Sequence, residues 1–333
     1  MIQISQLSKY FDDFCAVDNI SFTLEPGEIL GFLGPNGAGK STTMKILTGF
    51  LAPTRGQVNI LGHDVLKDPI SAQLEIGYLP EGAPAYADMS VMAALKFIAQ
   101  IRGYSGEELR QRIQSVVEKV ELQAVLDKRV ENLSKGYCRR LGIAQALIHD
   151  PKVLILDEPT DGLDPNQKHQ VRQLIRNLSK DKTVIISTHI LEEVSAVCTR
   201  AMILAAGRIV FDGTPQALAA KSDLHNAVRV RLQTVMPGII EALQALVDVQ
   251  EVSQDDSGMI TVFPIDGKAI LPAVNSVLHK NNCLVEELHV ETGQLDDVFR
   301  KVTLSQAQHA HSSASQSQAV DSKDKSQKQE HKA

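Results

Sequence analysis

The chain has 333 residues, a formal charge of −6 at neutral pH and 43% apolar side chains, enough for one large domain and a smaller one. So mild a charge gives no general basic face for a phosphate backbone, and nucleic acid is not an expected partner. The four cysteines, Cys15, Cys138, Cys198 and Cys283, are widely separated, which argues against a disulfide framework and suits free thiols in a reducing compartment.

The chain opens directly into a strand-like alternation, so no signal peptide is expected. Ile2–Ser5 and Ile20–Leu24 alternate as half-buried strands, and Glu25–Glu28 is a turn before the apolar strand Ile29–Leu33. A glycine-rich loop leads into a helix over Lys40–Thr48, and Val58–Gly62 is a further strand and turn. From Val91 to Ala146 the apolar spacing turns helical, with Leu95, Ile98 and Ile101, then Ile113, Val116, Val117 and Val120. Val153–Leu156 and Val184–Ser187 are buried strands, followed by helices over Val171–Leu178 and Ile190–Cys198. Ala201–Leu204 and Arg208–Phe211 form a hairpin at Gly207. Strands alternating with helices imply α/β architecture with a parallel sheet.

After Pro215 the character changes. Strands at Val228–Leu232, Met259–Phe263 and Leu284–Val290 alternate with helices at Ile239–Leu246 and Ile270–His279, and a short helix closes at Leu295–Val302. This β-α-β-α-β order resembles a small ferredoxin-like α+β layer and predicts a separate domain over 226–303. From Ser305 to Ala333 the composition is polar and predicts a disordered tail, His309, His311 and His331 included. No apolar run approaches the ~20 residues of a transmembrane helix.

Two stretches carry chemistry. Gly34, Pro35, Asn36, Gly37, Ala38, Gly39, Lys40, Ser41 and Thr42 fit the phosphate-binding loop G-x-x-x-x-G-K-[ST]. Glycines let backbone N–H groups turn toward an anion, and the following helix adds its positive N-terminus. Lys40 suits the β- and γ-phosphates, and Ser41 suits Mg²⁺. In the second stretch, the strand Val153–Leu156 ends in Asp157 and Glu158. Asp157 suits Mg²⁺ and Glu158 the attacking water. Alone, that pair is a weak signal, because many strands end in acids.

The surrounding residues resemble a known family. Leu133-Ser134-Lys135-Gly136-Tyr137, Asp161–Asp164, Ser187-Thr188-His189 and Glu75–Glu81, in this order around the phosphate loop, are similar to the ATP-binding cassette (ABC) subunits, particularly the type-2 exporter branch. The resemblance covers residues 1–215. It implies a P-loop NTPase with a RecA-like core, an antiparallel β subdomain and a helical subdomain over about 85–150. It also implies an ATPase using ATP and Mg²⁺. Two copies would sandwich ATP head to tail, with Ser134 and Gly136 of one copy capping the phosphate held by Lys40 of the other. His189 would hydrogen-bond the γ-phosphate beside Glu158. A membrane permease would be the second partner, placing the chain on the cytoplasmic face of the cell membrane.

Three departures from the common pattern stand out. Glu81 replaces the usual glutamine and brings a carboxylate that suits a metal but adds negative charge. Lys135 and Tyr137 replace Gly and Gln. The adenine-stacking aromatic is Phe11 or Tyr10, with family spacing favouring Phe11. Read singly, Ser134 caps a helix, His189 starts one and Asp164-Pro165 begins another; the ordered set carries the functional reading. The competing function is a soluble ABC-type ATPase uncoupled from transport, a class usually marked by fused cassettes or a coiled-coil insertion.

Overall fold

The computed structural model describes residues 1–82 and 85–301; the tail expected from Ser305 lies outside them. The strands and helices are β1 (Ile2–Phe11), β2 (Phe14–Leu24), β3 (Ile29–Leu33), α1 (Lys40–Leu47), β4 (Arg55–Ile60), β5 (His63–Asp64), α2 (Pro69–Leu74) and β6 (Ile76–Leu79). There follow α3 (Val91–Ile101), α4 (Gly106–Val120), α5 (Lys135–Leu147), β7 (Val153–Asp157), α6 (Pro165–Leu178), β8 (Thr183–Thr188), α7 (Leu191–Val197), β9 (Arg200–Ala205) and β10 (Arg208–Gly213). The last are α8 (Pro215–Ala219), β11 (Val228–Leu232), α9 (Ile239–Gln244), β12 (Val249–Gln254), β13 (Ile260–Pro264), α10 (Leu271–Lys280) and β14 (Val285–Val290). Two compact units divide at Asp212/Gly213.

In the first unit a six-stranded sheet has the order β10-β9-β3-β8-β7-β6, with β9, β3, β8, β7 and β6 parallel. β3, β7 and β8 are buried at every position, as a parallel sheet covered on both faces requires. Alternation sends Val153 and Ile155 into one core with Phe32 and Met44, and Leu154 and Leu156 into another with Leu141 and Val117. The β9–β10 hairpin turns through Ala206 (φ 49°) and Gly207 (φ 77°), the two positive φ angles a type I′ turn needs.

A second sheet of the unit is ordered β2-β1-β4-β5, and its β1–β2 and β1–β4 pairs are antiparallel. β1 is longer than its sequence alternation predicts, because Gln6 (φ 49°) sits in a register shift that breaks the period between Ile4 and Leu7. Helices α3, α4 and α5 supply the apolar side chains on the other face of the parallel sheet. Ile101, expected on that apolar stripe, is exposed at the last residue of α3.

The second unit runs β11-α9-β12-β13-α10-β14, with sheet order β12-β13-β11-β14 and antiparallel pairs throughout. This is the ferredoxin-like split βαβ arrangement, with one strand more than the sequence reading. β12 was illegible because most of its residues are exposed at the sheet edge and only Val249 is buried, leaving no period-2 signal. Val228, Val230 and Leu232 pack with Ile239, Leu243, Val274 and Leu278 of α9 and α10.

Candidate functional site

The sheet order assembles the site. Adjacent strands β3, β8, β7 and β6 all present their carboxyl ends to one edge, where ligands bind in open α/β sheets. The loop Gly34–Gly39 leaves β3, Thr188-His189 ends β8, Asp157-Glu158 ends β7, and Glu81 lies just past β6.

The loop after β3 depends on two glycines. A Cβ at Gly39 (φ 104°) would meet Ala16 O at 2.4 Å, and one at Gly34 would meet Leu204 O at 2.6 Å. Only a residue without a side chain lets the backbone pass there. Gly39 also starts α1 with no side-chain cap, so the first N–H groups of the helix face the cleft without a competing side-chain acceptor. Lys40 is 6% exposed, and its Nζ donates to Gly34 O (2.7 Å) and Pro35 O (3.2 Å). Burial pushes its pKa below the usual lysine value, while Glu158, Asp157 and Glu81 pull it back.

Asp157 is 2% exposed, and its Oδ1 is buried without a hydrogen-bond partner. Glu158 adopts φ 48°, the left-handed region that non-glycine residues seldom occupy. Its Oε1 lies 2.9 Å from His189 Nδ1, while Oε2 is buried and unpartnered. Burial raises the Glu158 pKa, against the opposing pull of His189 and Lys40. An orphaned buried oxygen is costly unless something else occupies the site. A carboxylate held by an imidazole thus stands at the same sheet edge as the glycine loop and the buried lysine.

The cleft is lined by Phe11, Phe14, Asn36, Gly37, Gly39, Lys40, Ser41, Thr42, Glu81, Glu158, Asp161 and His189. Gly34, Pro35 and Ala38 are not in its lining, and the carbonyls of the first two accept from Lys40. Tyr10 is not in its lining, whereas Phe11 (45% exposed) and Phe14 (62% exposed), paired in register at the β1–β2 turn, both line it. Lys9 Nζ sits 5.1 Å from the Phe11 ring centroid. The sequence reading missed Phe14; its signal was the short Phe-Asp-Asp-Phe turn, which makes the two rings cross-strand neighbours.

Ser134 and Gly136 line a different groove, with Glu121, Tyr137, Arg140, Gln167, Gln170 and Val171. Ser134 Oγ accepts from Tyr137 N (3.3 Å) and caps α5. The segment 161–164 runs between the two places. Asp161 lines the cleft, a Cβ at Gly162 would come within 3.3 Å of Lys135 Nζ, and Gly136 lies against Gln167. One chain thus presents two separate surfaces: the cleft with Lys40, Glu158 and His189, and the groove at the N-terminus of α5 with Ser134 and Gly136.

A family model described as ABC transporter matches residues 17–161. The Nod factor export ATP-binding protein I of Cupriavidus metallidurans is 35% identical over 219 residues, 66% of this chain and 72% of that protein. The chain belongs to the ATP-binding subunits of ABC transporters. The probable multidrug ABC transporter ATP-binding protein YbhF of Escherichia coli is 35% identical over 223 residues, 67% of this chain and 38% of that one. Among solved structures, cbiO1 from Clostridium perfringens, part of the ABC transporter complex cbiONQ, aligns at TM-score 0.62 with 28% identity, over 66% of this chain and 90% of that chain. The cassette MJ0796, in a dimeric post-hydrolysis state bound to ADP and Pi, aligns at TM-score 0.58 with 25% identity, over 65% and 99% of the two chains.

The cassette is therefore a P-loop NTPase that binds ATP and hydrolyses it. Among the described residues no helix is long and apolar enough to cross a membrane. Nor do the described residues include a cluster of three or more His, Cys, Asp or Glu placed to cage a metal.

Proposed function

We propose that this cassette is the motor subunit of a type-2 exporter, working as a head-to-tail pair that closes on two ATP molecules. The observation that supports this reading is the separation of Lys40, Glu158 and His189 from Ser134 and Gly136 within one chain. A two-fold dimer brings such half-sites of different copies together twice. The relative named for Nod factor export supports the direction of transport, and cbiO1, part of an ABC transporter complex, supports a separate membrane permease as partner. On this reading the chain sits on the cytoplasmic face of the membrane.

In each composite site, loop N–H groups and Lys40 bind the β- and γ-phosphates, breaking the contacts of Nζ with Gly34 O and Pro35 O. Phe11 and Phe14 hold the adenine by stacking. Mg²⁺ fits the residues present: Asp157 has a buried oxygen without a partner, and Ser41 and Glu81 line the cleft. Mg²⁺ needs only one or two carboxylates when phosphates and water complete its shell. When bound it neutralises charge developing on the phosphates. Glu158, held by His189, accepts the proton of the attacking water. Ser134 and Gly136 of the second copy close the site over the γ-phosphate and shut out bulk solvent around the attacking water.

The test is the Glu158→Gln variant of the full chain with Mg²⁺ and ATP. It should accumulate as an ATP-bound dimer in light scattering, while wild type returns to monomer as ATP is consumed. A variant that stays monomeric at saturating ATP would refute the paired site. Recovery of the tagged chain with a multi-span membrane protein from detergent extracts is expected; recovery with soluble partners alone would refute the exporter assignment.

A further inference from the structure

Glu193, on the first turn of α7, takes no part in the chemistry described above, yet it is 4% exposed. A carboxyl buried this deeply is costly unless its oxygens are hydrogen-bonded. Both are. The Thr160 hydroxyl donates to Oε1, and the Thr188 hydroxyl donates to Oε2 at 2.9 Å. Thr160 lies two residues beyond Glu158, and Thr188 immediately precedes His189. One carboxyl group therefore ties together the two loops that carry the acid–imidazole pair.

The network continues on both sides. Thr188 Oγ1 accepts from Ile190 N at 3.1 Å, so the chain is fixed before and after His189. On the other loop, Glu158 N donates to Ser187 O at 3.0 Å, and Thr160 is held by Glu193. A residue at φ 48°, as Glu158 is, persists only where its surroundings over-determine its conformation. The neighbouring Glu192 faces the other way and accepts from Arg172 Nη1 at 2.9 Å, which anchors α7 on α6. Since Asp164 caps α6, the segment 161–164 and the acid–imidazole pair hang on the same two packed helices.

We propose that Glu193 is a positioning residue for ATP hydrolysis: through Thr160 and Thr188 it holds the Glu158 and His189 loops in register without touching the nucleotide. This rests on the reading of Glu158 and His189 as the hydrolytic pair. Losing the bridge leaves two buried hydroxyls without their acceptor and frees each loop to shift. A shift of ~1 Å in a reacting group costs on the order of a hundredfold in rate.

The experiment compares Glu193→Ala, Glu193→Gln, Thr160→Val and Thr188→Val in the full chain, reading kcat, KM for ATP and melting temperature, with Glu158→Gln run in parallel. Glu193→Ala should lower kcat by about ten- to a hundredfold with KM within about threefold of wild type. Glu193→Gln should recover most of the rate, because its amide offers one acceptor and one donor and a threonine hydroxyl can turn to match. Each valine variant should lower kcat with little change in melting temperature. Glu192→Gln, one residue away, keeps an acceptor for Arg172 and should leave turnover near wild type. Adding Glu193→Ala to Glu158→Gln should cost nothing further, as expected when two residues act through one step.

Unchanged kcat in Glu193→Ala, with Glu158→Gln inactive, would overturn the role of Glu193 alone. Parallel loss of kcat, ATP affinity and melting temperature in the alanine and both valine variants would reduce it to a structural contact and also overturn the proposal. Full turnover in Glu158→Gln would overturn the hydrolytic pair itself. Should Glu193→Ala fail to fold, the two valine variants, which keep the threonine shape, decide by the same criteria.

Discussion

The carboxyl edge of the parallel sheet and the core of the ferredoxin-like unit follow opposite rules. At the edge, Asp157 Oδ1, Glu158 Oε2 and Ser187 Oγ are buried without partners, and Glu158 holds a left-handed backbone. Among the described residues of the second unit no side chain carries such an orphan, and Val228, Val230, Leu243, Val262 and Leu278 pack as an ordinary apolar layer. The difference teaches that the edge is built for something the polypeptide alone does not supply, while the second unit is locally self-consistent.

The largest expected effect breaks the comparison at its centre. Glu158→Gln should lower ATP turnover by about a hundredfold or more while leaving ATP affinity near wild type, since it removes the proposed base and keeps the shape. Steady-state hydrolysis and nucleotide titration check this. Melting temperature should not fall, because the change also removes a buried carboxylate that stands beside Asp157.

In the second unit the reverse is expected. Leu243→Ala removes a fully buried side chain of α9 and should cost about 2–4 kcal/mol of stability, measured by urea unfolding. KM for ATP should stay within about twofold, because Leu243 lies in the core of the second unit and the cleft is lined by residues of the first.

Legibility followed the same divide. Gly34–Thr42 could be read from sequence because the loop, its glycines and its helix are contiguous, and the sequence set around it named its partners. Ser134 reads in two ways from sequence, and the structure of one chain displays the plain one, a helix cap at α5. Phe14 was missed because nothing in its own neighbourhood marks it; the hairpin register pairs it with Phe11. Glu193 was missed for a deeper reason. Its partners Thr160 and Thr188 meet it only because β7 and β8 are adjacent and α7 folds back over their ends. β12 escaped because an exposed edge strand needs no apolar alternation.

A third prediction concerns a buried group away from the cleft. His149 Nε2–H donates to Ile76 O at 2.9 Å, and burial, with Arg102, Lys182 and Arg112 nearby, pushes its pKa down to about 4. Its folded pKa lies below the unfolded value of about 6.5. The neutral ring is therefore fully compatible with folding above about pH 6.5, and stability is lost as pH falls from there toward 4 because the unfolded chain binds the proton first. The loss should reach about 2 kcal/mol, read as the shift in unfolding midpoint between pH 7 and 4.5, and His149→Gln should flatten that part of the curve.

The smallest expected effect sharpens the aromatic end of the cleft. Phe11→Ala and Phe14→Ala should each raise KM for ATP about fivefold, since stacking on a base is worth about 1 kcal/mol or more. Tyr10→Ala should leave it near wild type, because Tyr10 does not line the cleft.

The central claim is that one hydrolytic site is made from two copies, and subunit mixing tests it most directly. Lys40→Ala and Ser134→Arg chains, each inactive alone, are combined before assay. The account predicts recovery to roughly a quarter of the wild-type rate, since half the dimers are mixed and each mixed dimer has one intact site. No recovery at any mixing ratio, with mixed dimers demonstrated by differential tags, would contradict it.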